Sequence, residues 1–507
     1  MQEFKIYFTS DVHGKVLPVD YQTGKPRRRG LMDIAAELEK DGNTIVCDGG
    51  DALQGSALMQ YYLEHRECFP VHPMAFGFRA MGLEVFTLGN HDFNFGYDVL
   101  RDYLREVNAV CVCANVEDRR GELGLKKTWI KTLENGLRIG FTGVVTDYVN
   151  LWEKPEHLAE LKVSDPIPAA EAALEELTGK CDVTVCIYHG GYERDLVSGR
   201  KLTESRENVA CELAEKLDFD ILLTGHQHMA VPGVMLNGTF SVQPPNDADR
   251  YIEIKADLKN DRLHCEGILK TVSTDCSEAD YAALLPLEQQ TENWLDQEIG
   301  KLSEAITAES KLELGMHGSA LAALFNEIML KNYTADFACC SLGNDPIGLP
   351  SSVSIRSVYA AYQFANTLTV KKVTNAVLKA CLERCASYLE LDENGEIYIG
   401  DTFLQPKIEH YNYDFFAGLD YAFDLRKPHG ERVAWIRRLD GTELSDTEMY
   451  TLVTSDYRAT GTGGYEALGE CETVFSGADN MQDLIVAYIR QQSELCIPKN
   501  YRFRLLV

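Results

Sequence analysis

The residues able to do chemistry in this chain fall into five short clusters of Asp, Asn, His and Gly, each placed where an apolar run ends. Ser10-Asp11-Val12-His13-Gly14 follows residues 4–9, and Asp48-Gly49-Gly50-Asp51 follows 44–47. Gly89-Asn90-His91-Asp92-Phe93-Asn94 follows 85–88. His189-Gly190-Gly191 closes a run over 182–187, and Gly225-His226-Gln227-His228 closes one over 219–223. Carboxylate, amide oxygen and imidazole without thiolate form the ligand set of a divalent transition metal. Asp11 and His13 are two apart, so on extended backbone they point the same way. The glycines before Asp51 let the backbone approach another segment closely, and Asp51 is the candidate for a carboxylate shared by two ions. Any one cluster alone reads equally as a polar turn. Five in order, at five run ends, point to one site.

The elements that must position these clusters alternate in kind. The apolar runs have the length and composition of buried strands. Between them, helical periodicity covers residues 31–38, 56–64, 73–81, 97–104, 168–177 and 207–217. Further strands are expected over 109–113, 137–144, 239–242 and 251–256. Alternating strands and helices predict an α/β fold with ligands at strand ends. This domain is expected to span 1–276. A linker over 277–312 follows, with a connecting helix at 284–302, and a second α/β core fills 313–507.

The net charge of −29 excludes nucleic-acid polymers and anionic membranes as partners, since both demand basic surface. No apolar run reaches the ~20 residues that span a bilayer. A small anionic substrate remains compatible, because a metal pair acts at contact distance. The fifteen cysteines are irregularly spaced and many lie in apolar runs, which reads as buried thiols in a reducing compartment. Residues 4–8 read as a strand rather than a signal peptide. A cytoplasmic location is therefore expected, or a secreted or cell-surface one where a signal has been removed.

In order and content, the five clusters resemble the calcineurin-like metallophosphoesterases. The resemblance implies a four-layer α/β/β/α sandwich with two metals. Carried over by motif, one metal takes Asp11, His13, Asp51 and His228; the other takes Asp51, Asn90, His189 and His226, with Asp51 bridging. Such ligands suit Mn, Zn, Fe or Co rather than Ca. Two ions ~3.5–4 Å apart clamp a phosphoryl oxygen and acidify a bridging water, so the expected chemistry is phosphoester hydrolysis by metal-bound hydroxide. His91 is the non-ligand, placed to stabilise charge on phosphorus or protonate the leaving oxygen. Asp92 is a candidate to orient it. In the 5'-nucleotidase branch an Asp pairs with this His; here that position is Asn94, an amide that orients an imidazole without stabilising its cation as a carboxylate does.

The second half resembles the 5'-nucleotidase C-terminal domain, which implies a nucleotide as substrate. Tyr411-Asn412-Tyr413-Asp414 and the glycine-rich loop ending at Tyr465 supply candidate base-stacking rings in Tyr411, Tyr413 and Tyr465. Ser341-Leu342-Gly343-Asn344-Asp345 replaces the Asn-Gly-Gly-Gly-x-Arg loop of ordinary 5'-nucleotidases. Together with Asn90-His91-Asp92-Phe93-Asn94 and Asp456-Tyr457-Arg458-Ala459, this is more similar to the 2',3'-cyclic-nucleotide 2'-phosphodiesterase/3'-nucleotidase branch. The alternatives are a 5'-nucleotidase or UDP-sugar hydrolase and, from another class, a non-catalytic metal-containing nucleotide-binding protein.

Overall fold

Side-chain alternation along the strands decides how the first half folds. The computed structural model describes residues 2–21, 25–26, 30–201, 206–260, 262–364, 366–404, 408–477, 479–497 and 502–507. Contacts divide the chain into two units, Met1–Asn293 and Trp294–Val507. The strands that matter in the first are β1 (Gln2–Thr9), β2 (Thr44–Asp48), β3 (Val85–Phe86), β4 (Val110–Cys111), β5 (Thr128–Thr132), β6 (Arg138–Val145), β7 (Val183–His189), β8 (Ile221–Thr224), β9 (Val231–Leu236), β10 (Thr239–Gln243), β11 (Arg250–Lys259) and β12 (Arg262–Thr271). They form two six-stranded sheets, in the orders β12-β11-β1-β2-β3-β4 and β9-β10-β8-β7-β6-β5.

Phe4, Ile6 and Phe8 of the first sheet share one buried core with Ile139, Phe141, Val183, Val185 and Ile187 of the second. The intervening residues face outward. Val144, Cys186 and Tyr188 meet Ile167 and Ala170 of one helix and Ala210 and Leu213 of another. On the far side of the first sheet, Phe86 meets Tyr103 with ring centroids 6.2 Å apart. The helices are α1 (Leu31–Glu37), α2 (Ala57–His65), α3 (Pro73–Met81), α4 (Gly96–Val107), α5 (Val149–Trp152), α6 (Pro166–Leu177) and α7 (Ala210–Lys216). Sheet faces sheet, with helices outside, in the four layers expected.

Strands β1, β2, β3 and β4 pair parallel, as do β6, β7, β8 and β10. Parallel strands end on the same side, so their C-terminal turns collect along one rim. All five sequence clusters are such turns.

Helix α8 (Leu285–Leu295) is shorter than its periodicity predicts. Glu298–Lys301 instead forms a strand paired antiparallel with Ser352–Ser354. Gly300 explains the change: a Cβ there would sit 2.8 Å from Ile489 Cγ2, so this backbone is pressed against a neighbour. The second unit has a mixed sheet built from β13 (Phe337–Ser341), β14 (Leu368–Val373), β15 (Asp414–Ala417), β16 (Tyr450–Ser455) and β17 (Thr473–Ser476), ordered β15-β13-β16-β14-β17.

Candidate metal centre

The turns at the rim are held in unusual backbone. Asp11, His13, Asp51, His226 and His228 have φ of 55°, 46°, 60°, 71° and 57°. For residues bearing a Cβ this left-handed region costs on the order of 1–2 kcal/mol each and persists only where neighbours impose it. Here the first two turns are zipped together: Asp11 N donates to Gly50 O at 2.9 Å, His13 N to Asp51 O at 3.0 Å and Gly14 N to Ala52 O at 2.9 Å. The α2 N-cap joins in, since Ser56 Oγ accepts from Met59 N and donates to Gly14 O at 2.7 Å. Of the two glycines before Asp51, Gly49 approaches Ser10 and Gly50 the Gly89 turn. A Cβ on Gly50 would lie 2.3 Å from Gly89 N, and one on Gly89 2.1 Å from Asp51 Oδ1.

Two groups of ligand atoms result: Asp11, His13 and His228, and Asp51, His189 and His226, with ligand atoms in each group within 4.8 Å of one another. In the first, His13 Nε2 lies 3.0 Å from His228 Nε2, which is 3.4 Å from Asp11 Oδ1. In the second, His189 Nε2 lies 3.2 Å from Asp51 Oδ2 and 3.1 Å from Asn90 Oδ1. It is also 4.0 Å from Asp11 Oδ1, so the two groups adjoin. On three of the four histidines the second imidazole nitrogen is engaged: His13 Nδ1 with Gln54 O at 3.1 Å, His189 Nδ1 with Gly49 O at 2.7 Å, and His226 Nε2 with Glu207 Oε1 at 2.8 Å. Such partners fix the ring and aim the other nitrogen at a metal.

These residues fit a pair of divalent cations. Ligand atoms about 3 Å apart match the edges of a coordination shell with bonds of ~2.0–2.2 Å. Asp51 Oδ2 is buried, lies 3.2 Å from His189 Nε2 and accepts no other hydrogen bond among the described residues. The cluster also calls for positive charge. Burial disfavours the His189 cation, yet Asp51 and Asp11 outweigh it and raise His189 to about 10. Burial opposes the Asp51 carboxylate, but His189 and His91 hold it well below the usual range. His13, buried and beside His228, is lowered to about 4 and stays a neutral donor.

His91 stands next to this centre without joining either group. Its backbone N–H donates to Asp51 Oδ1 at 2.7 Å, and its ring lies 5.6 Å from that of His13. Its Nδ1 pairs with Asn94 Oδ1 at 2.8 Å.

Asp92 corrects the sequence reading. It does not orient His91; its carboxylate accepts from four backbone amides, Gly89 N at 2.8 Å, Asp51 N at 3.0 Å, Ala52 N at 2.9 Å and Leu53 N at 3.1 Å. Adjacent residues in a tight turn point apart, and Asp92 points into the protein. Burial and the Asp51 charge raise it to about 6.

In the second unit, Tyr413 and Tyr465 are core residues rather than exposed platforms, which removes them as stacking partners here. Tyr413 is 4% exposed and packs on Tyr388 and Phe415, with centroids 4.6 and 5.0 Å away. Tyr465 is 1% exposed, bonds Asn412 O at 3.0 Å and lies under the Arg458 guanidinium. Burial dictates this, since each hydroxyl finds a partner inside. Tyr411 is half-buried, and Tyr457, 39% exposed, lies edge-on to it at 6.4 Å.

The sequence reading missed Glu207, Glu153, Trp152 and Gln54. Trp152 stacks on His226 with centroids 5.6 Å apart. Glu207 falls within a stretch expected to be helical, but α7 begins only at Ala210. The preceding residues serve the rim: Asn208 Oδ1 accepts from Gly191 N at 2.7 Å.

Comparison with known proteins agrees with this architecture. Residues 4–230 match the calcineurin-like phosphoesterase model, and 298–470 match the 5'-nucleotidase C-terminal domain. A 2',3'-cyclic-nucleotide 2'-phosphodiesterase/3'-nucleotidase from Haemophilus influenzae is 23% identical over 97% of this chain and 85% of its own length. The trifunctional nucleotide phosphoesterase YfkN of Bacillus subtilis is 23% identical over 96% of this chain, which spans 38% of YfkN. A Staphylococcus aureus structure assigned as a 5'-nucleotidase, in complex with alpha-ketoglutarate, superposes with a TM-score of 0.82 at 28% identity over the whole of both chains. Calcineurin-like phosphoesterases use divalent metals, in keeping with the two ligand groups. With both domain models matched in order on one chain, this protein belongs to the calcineurin-like phosphoesterases that carry a 5'-nucleotidase C-terminal domain, a family of phosphoester hydrolases.

Proposed function

We propose that this chain is a dimetal nucleotide phosphohydrolase whose main activity is that of a 2',3'-cyclic-nucleotide 2'-phosphodiesterase/3'-nucleotidase. The observation that carries the reading is the meeting of Asp11, His13, Asp51, Asn90, His189, His226 and His228 from five separate turns, with His91 alongside. Two divalent cations, Mn, Zn, Fe or Co by the donor set, would supply Lewis-acid charge and an activated water. Asp11, His13 and His228 would hold one and Asn90, His189 and His226 the other, with Asp51 reaching both. His91 stabilises the charge that develops on the phosphoryl oxygens or delivers a proton to the leaving oxygen. Asn94 sets the plane of its ring. Asp92 keeps the Asp51 and Asn90 turns in register through backbone amides.

The 5'-nucleotidase-type domain supports a nucleotide as substrate. Tyr411, with Tyr457 beside it, is the residue we assign to the base, and one such stack is worth ~1–3 kcal/mol. The name of the H. influenzae relative supports the cyclic and 3'-nucleotide specificity. The S. aureus structure favours the second reading, a 5'-nucleotidase or UDP-sugar hydrolase. A screen of product formation from 2',3'-cyclic AMP, 3'-AMP, 5'-AMP and UDP-glucose with added Mn separates them. The proposal expects the first two to turn over fastest; faster 5'-AMP or UDP-glucose selects the second reading. Hydrolysis of none of them, nor of bis-p-nitrophenyl phosphate, leaves a non-catalytic binder.

A further inference from the structure

His91 is oriented by an amide, and an amide has two ends. Asn94 offers Oδ1 to His91 Nδ1; turned over, it would offer Nδ2 and hold the opposite tautomer. The choice is made on the far side of Asn94. There Nδ2 donates to Glu153 Oε2 at 2.7 Å. An ionised carboxylate only accepts, so Asn94 must give it Nδ2 and keep Oδ1 for His91. His91 then carries its proton on Nδ1, leaving Nε2 as the nitrogen that takes up or gives a proton.

Glu153 is itself fixed. It is 8% exposed and follows directly on α5, whose Trp152 stacks on His226. Its Oε1 accepts from Lys154 N and from His157 Nδ1, both at 2.7 Å. His157 is packed in turn against Gly96, where a Cβ would lie 3.3 Å from the ring. A continuous run of hydrogen bonds thus joins His91, Asn94, Glu153 and His157.

We propose that Glu153 is a positioning residue for phosphoester hydrolysis. Through Asn94 it fixes the tautomer of His91, and it places a negative charge one hydrogen bond beyond the ring. This rests on the role assigned to His91 above.

The test exchanges the two groups. Glu153→Gln removes the charge. The double variant Asn94→Asp/Glu153→Gln restores it in reversed order: the amide now at position 153 donates to the carboxylate now at position 94, and that carboxylate accepts from His91. With Mn-loaded protein and 2',3'-cyclic AMP, Glu153→Gln is expected to lower kcat about 10- to 100-fold with KM within about twofold. The exchanged pair is expected to recover to within about tenfold of the parent, a coupling that a packing role does not produce. A parent-like kcat for Glu153→Gln, or an exchanged pair no better than that single variant while both metals stay bound, overturns the proposal. Should Glu153→Gln fail to fold, the exchanged pair decides alone by the same tenfold criterion. A second readout needs no turnover. In Zn-loaded protein labelled with 15N-histidine, the parent His91 is expected to be protonated at Nδ1, and Glu153→Gln to mix the two tautomers. Protonation of the parent at Nε2 alone overturns the relay. A parent that hydrolyses nothing, yet shows the expected tautomer, counts against the functional reading and not against the relay.

Discussion

His91 and Asp92 are neighbours with opposite duties, and their bonding tells them apart. The ring of His91 is held through a hydrogen bond to Asn94 and its backbone N–H by Asp51, whereas Asp92 spends its carboxylate on four amides of two turns. His91→Ala is therefore expected to lower kcat by about 10²–10⁴ while metal content stays at the parent level. Loss of the metals along with activity would contradict its place as a non-ligand. Asp92→Asn is expected to act on stability, by about 2–4 kcal/mol, because amide hydrogens would face backbone donors. A urea unfolding series measures it. The residues that gather into the two groups were legible in the sequence because the strand ends announce them and because Asp-x-His, Gly-Gly-Asp and Gly-His-x-His have few other uses in combination. Glu153 and Glu207 were not, since a lone Glu beside a helical pattern looks like solvated surface until the fold turns it inward. The tyrosines failed for the converse reason: a Tyr in a polar stretch reads as exposed, and only packing reveals that Tyr413 and Tyr465 are interior.

At the scale of elements, the turns matter more than the strands they join. Gly50 has φ +95° and room for no Cβ against Gly89 N. Gly50→Ala is thus expected to separate the Asp51 and Asn90 turns, costing about 2 kcal/mol or more of stability and weakening metal binding, as calorimetric titration with Mn would register. The N-cap of α3 carries a pH dependence. His72 accepts from Ala75 N and is buried, which lowers it to about 3, while the unfolded chain titrates near its ordinary value of 6.5. The folded state refuses a proton that the unfolded state accepts. This contribution is complete above pH 6.5 and is lost as pH falls toward 3, at about 1.4 kcal/mol per unit. Unfolding free energies measured between pH 7 and 4 should fall less steeply in His72→Asn, which keeps the capping acceptor. An unchanged slope would contradict the assignment. Strand and helix positions were legible from periodicity, but their ends were not. In the second unit the helix Lys311–His317 stops at Gly318, φ +82°, and the Ser319 cap starts another over Ala320–Asn332, a break that periodicity does not mark.

For the whole molecule the governing quantity is charge. At −29, the long-range field opposes an anionic nucleotide, and attraction is left to the metal pair at contact. Raising ionic strength from ~0.01 to ~0.15 M shortens the screening length from ~30 to ~8 Å, so kcat/KM for a nucleotide is expected to rise about two- to threefold. A fall would mean that the approach to the site is locally positive. The two-sheet architecture was legible from strand and helix alternation together with the resemblance of the clusters. How the sheets share Phe4, Ile6 and Ile187 in one core was not, since side-chain alternation names a buried face without naming its partner. The account as a whole depends on two cations held in the turns at the strand ends. An anomalous difference map from crystals of the Mn-loaded protein tests this most directly. Two peaks are predicted, one among Asp11, His13 and His228 and one among Asn90, His189 and His226, with Asp51 touching both; a single peak, or none at these residues, would contradict it.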